Sequence, residues 1–344
     1  MSGLILVTGG CGYVGCRLVP ALLDQGWRVR VLDAQFFGDL VPRRSVPERL
    51  DVRKADIRDE NAVAAALQGV DTVIHLAAMS NDPSAELDPE LTRAINLDAT
   101  VRLIRRAKAE GVARFVNAST ATVYGVRAEP DVDEATPHRP ISLYGRFKSE
   151  TDLFLSAESG RGFAGVNLRA ATVCGWSPRM RLDLTVNIFA AQAVAAGRLR
   201  VHGGQQRRPN VVIEDLVRAY LLLANADAEL VCGQSFNVCA SNHTVLELAE
   251  IVAASAAPAC EIVIEPVQDA RSYHVSARKI AEQLNFSCHY DVSDGAKQVA
   301  QAIGSGRLAD PAAAIHSNIR HLLETGVAVR RAPHDARLVA ARGP

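Results

Sequence analysis

Two side chains with acid–base chemistry, Tyr144 and Lys148, are four residues apart at the start of a helical pattern. Residues with this spacing lie on one face of a helix. A lysine ammonium on that face favours the phenolate form of a neighbouring tyrosine and so lowers the pKa of the phenol. The pair predicts a tyrosine that acts as a general base near neutral pH, although an ordinary amphipathic helix has the same spacing.

A glycine-rich segment near the start of the chain predicts a turn that binds a dinucleotide. Residues 8–15 read T-G-G-C-G-Y-V-G and directly follow the apolar residues 4–7. Gly9 suits the tight turn after a strand, Gly12 lets the backbone approach a pyrophosphate, and Gly15 lets the next helix lie close to the sheet. The free N–H groups of that helix would face the phosphates.

Asp33 indicates which dinucleotide is bound. The glycine segment is followed by a helix-like pattern at residues 14–25 and by the apolar residues 29–32, which end at Asp33. This is the strand, helix, strand order that such a turn requires. A carboxylate here accepts hydrogen bonds from the adenosine ribose hydroxyls and repels a 2′-phosphate, so we predict NAD rather than NADP. The alternative is that Asp33 only begins the loop at residues 34–39.

Small hydroxyl side chains follow another apolar run. Residues 114–118 read R-F-V-N-A, and Ser119, Thr120 and Thr122 come directly after them. Open α/β sheets bind their ligands at the carboxyl ends of parallel strands. We therefore expect these hydroxyls to lie in the same site as Tyr144.

The elements that must position these residues alternate along the chain. Apolar runs predict strands at residues 4–7, 29–32, 70–76, 114–118, 165–169 and 261–264, and helical patterns occupy residues 14–25, 91–109, 144–158, 184–196, 214–226, 245–256 and 277–284. This alternation predicts an α/β fold: a doubly wound parallel (Rossmann) sheet with a smaller mixed α/β C-terminal substrate region.

The predicted domain boundaries follow from this order of elements. We expect the NAD-binding Rossmann domain at residues 1–175, with a returning segment near 205–240. The smaller, interleaved substrate-binding region would span residues 176–330. Residues 331–344 lack useful periodicity and are predicted to form a loosely held tail.

Composition limits the classes of partner. The chain has 344 residues, 48% of them hydrophobic, and a formal net charge of zero, so neither nucleic acid nor an anionic membrane is an expected partner. No apolar run reaches the length of a membrane span, and a strand at residue 4 leaves no room for a signal peptide. The seven cysteines show neither disulfide nor metal spacing, so we expect reduced thiols, no metal and a cytoplasmic protein.

Taken together, these motifs resemble the extended short-chain dehydrogenase/reductases, in the NAD-dependent nucleotide-sugar epimerase/dehydratase group that includes UDP-glucose 4-epimerases. The resemblance extends through most of residues 1–220. It rests on the segments T-G-G-x-G-x-x-G at residues 8–15, Asp33, A-D-I-R-D at residues 55–59, H-L-A-A at residues 75–78, Asn96, S-T-A-T-V-Y-G at residues 119–125, Tyr144 with Lys148, Asn187, and V-I-E-D at residues 212–215.

The resemblance implies a role for individual residues. Thr120, Tyr144 and Lys148 would be catalytic, with Tyr144 as the base and acid. Cofactor binding would fall to Gly9, Gly12, Tyr13, Val14, Asp33, Asp56, Ile57, Leu76, Ala77, Ala78 and Asn96, together with Tyr144 and Lys148. The substrate, a nucleotide-diphosphate sugar, would be bound by Thr122, Thr172, Asn187, Arg208 and Arg271. Guanidinium groups suit phosphate geometry, and a surface salt bridge is the alternative for either arginine.

The segment after Thr120 favours one reaction within the group. Dehydratases and decarboxylases of the family resemble one another in carrying an acidic residue there, whereas this chain has Ala121 and Thr122. The segment is similar to that of 4-epimerases, so we predict epimerisation at C4. Tyr144 would deprotonate the C4 hydroxyl, and a transient 4-keto sugar would rotate and be reduced on its other face.

Several alternatives remain at this stage. A 4,6-dehydratase or a 4-ketoreductase would keep the fold and change the chemistry, and a non-catalytic NAD sensor would keep only the fold. Cys174 replaces a residue that is often Tyr in the family, so a second acid or base for C3 or C5 epimerisation is an alternative to the buried role that we favour. His75 is interpreted as structural. The resemblance also implies a homodimer, formed by the helices at residues 91–109 and 144–158.

Overall fold

Seven parallel strands form the central sheet of the computed structural model, which describes residues 3–43, 47–127, 129, 131–266 and 272–328. Numbered along the chain, these strands are β1 (Leu4–Thr8), β2 (Arg28–Asp33), β3 (Leu50–Lys54), β4 (Thr72–His75), β5 (Arg114–Thr120), β6 (Ala164–Ala170) and β10 (Gln234–Val238). Their order across the sheet is β3-β2-β1-β4-β5-β6-β10, and every neighbouring pair is parallel. Strand β1, in the middle of the sheet, is buried at every residue because both faces of the sheet are covered.

Helices cover both faces of this sheet. The helices are α1 (Gly15–Asp24), α2 (Glu60–Leu67), α3 (Asp82–Ala85), α4 (Pro89–Arg93), α5 (Thr100–Ala109), α6 (Leu143–Glu158), α7 (Thr185–Ala196), α8 (Ile213–Asn225), α9 (Ala228–Val231), α10 (Val245–Ala256), α11 (Arg278–Leu284), α12 (Val292–Gly304) and α13 (Asn318–Glu324). Helices α1 and α8 share one buried apolar cluster with the sheet, and α2, α5 and α6 share another. The predicted doubly wound α/β fold is confirmed.

The helix predicted at residues 91–109 is interrupted in the structure. Helix α4 is followed by a π-helical stretch, Ala94–Ala99, and only then by α5. Single π-helical turns inside helices are frequent at functional sites. Here the extra residue per turn turns the buried Asn96 towards the loop after β4.

The second region contains two small sheets. One consists of β7 (Thr172–Cys174), β9 (Arg207–Val212) and β11 (Ser241–Thr244), and the other of β8 (Arg198–His202) and β12 (Glu261–Glu265). Helices α7, α10 and α12 enclose a separate apolar core with them. Helix α8 and strand β10 return to the large sheet. The boundary at residue 175 stays a prediction, and the predicted tail at residues 331–344 lies outside the described residues.

Helix α12 is absent from the sequence-based prediction, although the chain carries a start signal for it. The Asp291 side chain accepts from the backbone of Asp294, and the Asp294 side chain accepts from the backbone of Asp291, which forms a capping box. Val292, Ala296 and Val299 then point into the second core at helical spacing.

None of the helices in the described part of the chain is long and apolar enough to cross a bilayer.

Candidate active site

The loop between β1 and α1 has close contacts that only glycine permits. Gly9 has φ +72°, and a Cβ there would lie 2.6 Å from the backbone nitrogen of Ala77. A Cβ on Gly15 would lie 2.4 Å from the carbonyl oxygen of Gly10, so Gly15 lets α1 close onto its own loop. Close packing against the sheet occurs instead at Gly10, where a Cβ would lie 2.7 Å from Val31 Cγ1. The predicted packing role of Gly15 is corrected accordingly.

Gly12 is the glycine of this loop that leaves room for a ligand. Among the described atoms, only the Gly9 carbonyl oxygen, at 3.1 Å, is a neighbour within 4 Å of a Cβ placed on Gly12. Helix α1 begins at Gly15 and has no side-chain cap at Val14. The N–H groups of Cys16 and Arg17, in the first turn of α1, already donate to the carbonyls of Gly12 and Val14 at 3.0 Å, so the uncrowded backbone at Gly12 is the feature that suits a diphosphate. The loop therefore fits the predicted dinucleotide.

The side chain of Tyr13 packs in the second core, beside Asn187. The Tyr13 hydroxyl donates to the carbonyl of Gly175 at 2.7 Å. The Asn187 amide group donates to the Tyr13 hydroxyl at 3.1 Å and to the Arg181 carbonyl at 2.9 Å, and its oxygen accepts from the Gly175 N–H at 2.9 Å. This buried amide is hydrogen-bonded inside the protein, and the role of Asn187 as a substrate ligand stays a prediction that these contacts do not support. The part of Tyr13 that lies in the glycine loop is its backbone.

Asp33 lies at the end of β2, next to the glycine loop. Its Oδ2 accepts from the N–H of Cys11 at 2.9 Å, and its Oδ1 accepts from the N–H of Gln35 at 2.6 Å. Burial raises the pKa of the Asp33 carboxyl, and these two hydrogen bonds oppose that shift. The carboxyl is thus fixed beside the loop, at the place where the sequence predicts contacts to a ribose.

Asp56 and Ile57, predicted to lie against the adenine, follow β3, whereas Leu76, Ala77 and Ala78, predicted to bind the cofactor, follow β4, and β1 and β2 lie between these two strands. Ile57 is buried, and Leu76, Ala77 and Ala78 are half-buried in the loop after β4. Asp56 forms an ion pair with Arg58 at 2.7 Å. The cofactor-binding roles of Asp56, Ile57, Leu76, Ala77 and Ala78 stay predictions.

Asn96 supports this pocket from behind. Its Oδ1 accepts from the N–H of Met79 at 2.8 Å, and its Nδ2 donates to the Met79 carbonyl at 2.9 Å. Asn96 is 1% exposed. Asn96 therefore holds the loop that follows Ala78 in place, and its role as a cofactor ligand stays a prediction.

The strand-end hydroxyls contact one another. Thr120 is the last residue of β5, and its Oγ1 accepts from both the N–H and the hydroxyl of Thr122, each at 3.2 Å. Ala121 is buried between them. The prediction that Thr120 and Thr122 share one site is consistent with this geometry.

Helix α6 presents Tyr144 and Lys148 to the same end of the sheet. Ser142 caps this helix, accepting from the Gly145 N–H at 3.1 Å. Lys148 is 3% exposed, and its Nζ donates to the Ala118 carbonyl, in β5, at 2.6 Å. This contact fixes the amine within two residues of Thr120.

The pKa of Tyr144 differs from the sequence-based expectation. Burial raises the pKa of this phenol, and the carboxylate of Asp82 raises it further, whereas the guanidinium of Arg181 lowers it. The predicted lowering by Lys148 is therefore wrong for the protein alone, because desolvation of the phenolate outweighs nearby positive charge.

The site also contains a buried ion pair that the sequence analysis did not identify. Asp152, one turn after Lys148 on α6, accepts from Arg169 Nε at 3.0 Å and from the Ser119 hydroxyl at 2.8 Å. Asp152 is 1% exposed and Arg169 is 5% exposed. The spacing of Asp152 after Lys148 is a signal in the sequence, but its partner Arg169 lies on a different strand, β6.

Asp82 and Arg181 are two more charged residues that the sequence analysis did not single out. Asp82, at the start of α3, accepts from the hydroxyl of Ser142, two residues before Tyr144, at 2.6 Å. Arg181 is paired with Asp183 at 2.9 Å. Asn81, just before Asp82, has φ +76°, an unusual conformation that is found at functional sites.

The remaining predicted substrate ligands have different environments. Thr172 is half-buried in β7, and Arg208, in β9, is 8% exposed and donates to the Arg207 carbonyl at 2.9 Å. Arg271 lies outside the described residues. Cys174 is completely buried, as the favoured interpretation expected. Among the residues that the structure describes, His, Cys, Asp and Glu form no group of three that could hold a metal ion.

Comparison with known proteins identifies the family. The model of the NAD dependent epimerase/dehydratase family matches residues 5–239. UDP-glucose 4-epimerase of Streptomyces lividans is 30% identical over 261 residues, which are 69% of this chain and 78% of the relative. UDP-glucuronic acid decarboxylase 1 of Arabidopsis thaliana is 32% identical over 306 residues, 85% of this chain and 67% of the relative.

Solved structures give the same result. UDP-glucose 4-epimerase of Thermus thermophilus, in complex with NAD, has a TM-score of 0.74 at 26% identity and covers 87% of this chain and 98% of its own. DesIV, a dTDP-glucose 4,6-dehydratase from Streptomyces venezuelae with NAD and TYD bound, has a TM-score of 0.78 at 26% identity and covers 88% and 98%. The prediction of NAD is confirmed at the level of the family. Because most of the chain follows the family model, this protein belongs to the NAD-dependent epimerase/dehydratase family.

Proposed function

We propose that this protein is an NAD-dependent nucleotide-sugar epimerase that acts at C4. The observation that carries the proposal is the strand end after β5. Helix α6, which carries Tyr144 and Lys148, contacts this segment: Lys148 donates to the Ala118 carbonyl, and a Cβ on Gly145 would lie 3.1 Å from the Thr122 carbonyl oxygen. Ala121 is buried, and Thr122 supplies only a hydroxyl beside Thr120. This segment offers a site for oxidising a sugar hydroxyl but no carboxylic acid for expelling a second one.

Each catalytic residue has a task that its position supports. The Thr120 hydroxyl would orient the C4 hydroxyl of the sugar, and Tyr144 would take its proton and later return it. Lys148, fixed on the Ala118 carbonyl, would hold the nicotinamide ribose. When bound, NAD supplies the hydride acceptor and donor, and its positively charged ring favours the tyrosinate. Burial of Tyr144 keeps it protonated without that charge.

The substrate end is proposed from the same resemblance. Arg208 and Arg271 would bind the diphosphate of the nucleotide sugar while the keto sugar turns, and Thr122 and Thr172 would contact the sugar. Arg208 lies in β9, which is hydrogen-bonded to β7, the strand of Thr172. The relatives named for UDP-glucose support a nucleoside diphosphate sugar as the substrate class.

A substrate screen tests this proposal. Purified protein is incubated with UDP-, dTDP-, GDP- and CDP-sugars without added cofactor, and C4 configuration is followed by NMR. We expect inversion of one nucleotide sugar, release of NAD rather than NADP on denaturation, and no deuterium at C4 when the reaction runs in D₂O. Dependence on added NADH would instead indicate a ketoreductase.

A 4,6-dehydratase is the second candidate, because of Asp82. Its carboxylate lies beside the start of α6 and raises the pKa of Tyr144, so an acid is present near the site from outside the β5 segment. A dehydratase would release water, accumulate a 4-keto-6-deoxy sugar and incorporate solvent deuterium. This candidate would be favoured over the epimerase by two results: the native protein does not invert C4, and the Asp82→Asn variant no longer forms the 4-keto-6-deoxy sugar.

We expect the pH dependence of kcat to follow the titration of the Lys148 amine. Burial lowers the pKa of Lys148 to about 8, and the Asp152 carboxylate opposes this shift. His75 faces Lys148 as a neutral ring, because burial lowers its pKa to about 3, and Arg169 lies behind Asp152. Since the ammonium form is needed, kcat should fall above about pH 8.

Asp152→Asn is the variant that tests this assignment. Removing the carboxylate disfavours the charged lysine, so the alkaline limb of kcat should move to lower pH by about one unit. The variant also leaves Arg169 without its buried partner, so it should unfold at a lower temperature. If Asp152 had a purely structural role, the substitution would lower the unfolding temperature but would not shift the alkaline limb of the kcat–pH profile. Glu282→Gln, at an exposed carboxylate of α11, is the control, and it should change neither the alkaline limb of kcat nor the unfolding temperature.

A homodimer and a cytoplasmic location complete the proposal. Leu153 of α6 is 63% exposed, and the neighbouring Phe154 is covered by the Arg105 guanidinium of α5 at 5.1 Å. This apolar edge supports pairing of α5 and α6 with a second copy, which sedimentation velocity would reveal. The seven cysteines are all free thiols, which supports a reducing compartment.

A further inference from the structure

Arg179 is a buried arginine that the catalytic proposal does not use. It lies in the loop between β7 and α7, is 2% exposed, and its Nε has no hydrogen-bond partner in the part of the chain that the structure describes. Its guanidinium stacks on the ring of Phe37 at 3.8 Å, and its Nη2 donates to Asn318 Oδ1 at 2.5 Å. A buried guanidinium with an unused donor is costly unless an anion pairs with it.

The nearby acidic groups are occupied by other partners. Asp183 accepts from Arg181 with both carboxylate oxygens, at 2.9 and 3.1 Å. Asp33 accepts from the backbone N–H groups of Cys11 and Gln35. Burial and the neighbouring Arg181 lower the pKa of Arg179 to about 9. The guanidinium is thus charged at neutral pH and lacks a direct counter-ion among the described residues.

The segment that carries Arg179 runs along the glycine loop. The Ser177 hydroxyl, two residues before Arg179, donates to the Tyr13 carbonyl at 2.7 Å. The charge of Arg179 acts on the thiol of Cys16, in the first turn of α1. The charge of Arg179 also acts on the Asp33 carboxylate. The segment of Arg179 therefore contacts the glycine loop, and its guanidinium is close enough to Asp33, the predicted ribose ligand, to act on the pKa of that carboxyl.

We propose that Arg179 is an anion-binding residue for the diphosphate of the dinucleotide, and that the C-terminal helix α13 holds it in place. The Nε donor pairs with a phosphate oxygen at the glycine loop, where Gly12 leaves room for a ligand, in a charge-assisted hydrogen bond. This assignment rests on the NAD-binding site of the proposed function and not on the sugar reaction. It adds a ligand from the second region to a site whose other predicted ligands come from the first.

Helix α13 supplies the support. Asn318 accepts from Arg179 and donates to the Ser80 hydroxyl at 3.1 Å, while its backbone N–H donates to Asp183 at 3.1 Å. The His321 ring stacks on Phe37 with 4.9 Å between centroids, on the ring that also stacks with Arg179. Asn318 and His321 follow residue 239, where the match to the family model ends. Cofactor affinity should therefore depend on residues outside the matched segment.

Arg179→Met tests the proposal, because methionine keeps much of the side chain and removes the charge. Cofactor-stripped protein is titrated with NAD and with ADP by calorimetry, and with adenosine, which has no phosphate, by ligand-observed NMR. We expect NAD and ADP to bind at least tenfold more weakly, which corresponds to about 1.4 kcal/mol, and adenosine to bind within twofold of the native protein. An equal loss for all three ligands, or no loss for any, would overturn the proposal.

Thermal unfolding separates a ligand from a structural arginine. Replacing an unpaired buried charge by an apolar side chain is often neutral or stabilising, so the stripped variant should unfold at or above the native temperature. Its stabilisation by added NAD should be smaller than that of the native protein. A stripped variant that unfolds well below the native protein and keeps the full NAD-induced shift would show that the arginine is structural.

Two further variants keep the test independent of the folding of Arg179→Met. Asn318→Ala removes only the support, and we expect NAD and ADP to bind several-fold more weakly with adenosine unchanged. Arg320→Met, at an exposed arginine of the same helix whose Nη1 donates to the Ala312 carbonyl, should bind all three ligands normally. Native NAD affinity in Asn318→Ala would contradict the supporting role. None of these titrations contains a sugar, so their outcome is independent of the proposed epimerisation.

Discussion

Replacing Tyr144 by phenylalanine should lower kcat by about 10²- to 10⁴-fold, while NAD stays bound with nearly native affinity. General acid–base catalysis by a positioned side chain contributes a factor of this size. The ring of Tyr144 stays in place in the variant, because only its hydroxyl is removed. The loss should therefore appear in kcat and kcat/KM together, since the lost interaction is with the reacting hydroxyl.

The control for this experiment is Tyr290→Phe. Tyr290 is 39% exposed and precedes α12, far along the chain from α6, so its variant should have native kinetics. NAD content of both variants is measured after denaturation. A Tyr144→Phe enzyme with kcat within threefold of the native value would remove Tyr144 from the mechanism. A biological role that survives this substitution would favour the non-catalytic NAD sensor.

The second large effect is expected from the glycine loop, where two substitutions should separate folding from cofactor binding. In Gly15→Ala the new Cβ would lie 2.4 Å from the Gly10 carbonyl oxygen, so backbone must move. Overpacking of this kind costs about 1–3 kcal/mol, and we expect the free energy of unfolding of the stripped protein to fall by at least that amount.

Gly12→Ala should have the opposite pattern. The new Cβ meets only the Gly9 carbonyl oxygen, at 3.1 Å, so the stripped protein should unfold close to the native temperature. The methyl group projects where the diphosphate approaches, and NAD affinity should fall at least tenfold, about 1.4 kcal/mol. Denaturant unfolding and NAD titration of both variants check these expectations. If Gly12→Ala bound NAD normally, the assignment of this loop to the diphosphate would have to be abandoned.

Local features of the sequence were sufficient for the sheet and the family motifs. Strands β1 and β2 are apolar runs that could be recognised directly, and the spacing of Tyr144 and Lys148 fixes their common helix face. Gly9 and Gly15 were recognised from the spacing of the glycines after β1, although the structure assigns the close packing against the sheet to Gly10. Boundaries were less certain, as the π-helical stretch Ala94–Ala99 inside the predicted helix shows, because an extra residue in a turn leaves a weak mark on periodicity.

What the tertiary structure decided was the environment of polar side chains. Asn187 and Asn96 are polar residues at motif positions, yet their amides are used by Tyr13, Gly175 and Met79, which are distant in the chain. The pKa of Tyr144 follows its burial, which i,i+4 spacing does not encode.

The sequence by itself therefore determined the parallel sheet, the dinucleotide turn and the Tyr144–Lys148 pair, because each depends on residues that are close along the chain. Only the tertiary structure brought Arg169 to Asp152 and Asn318 to Arg179. Those pairs join residues from separate elements, and burial makes their charges matter, since a buried charge must find a partner wherever the fold supplies one.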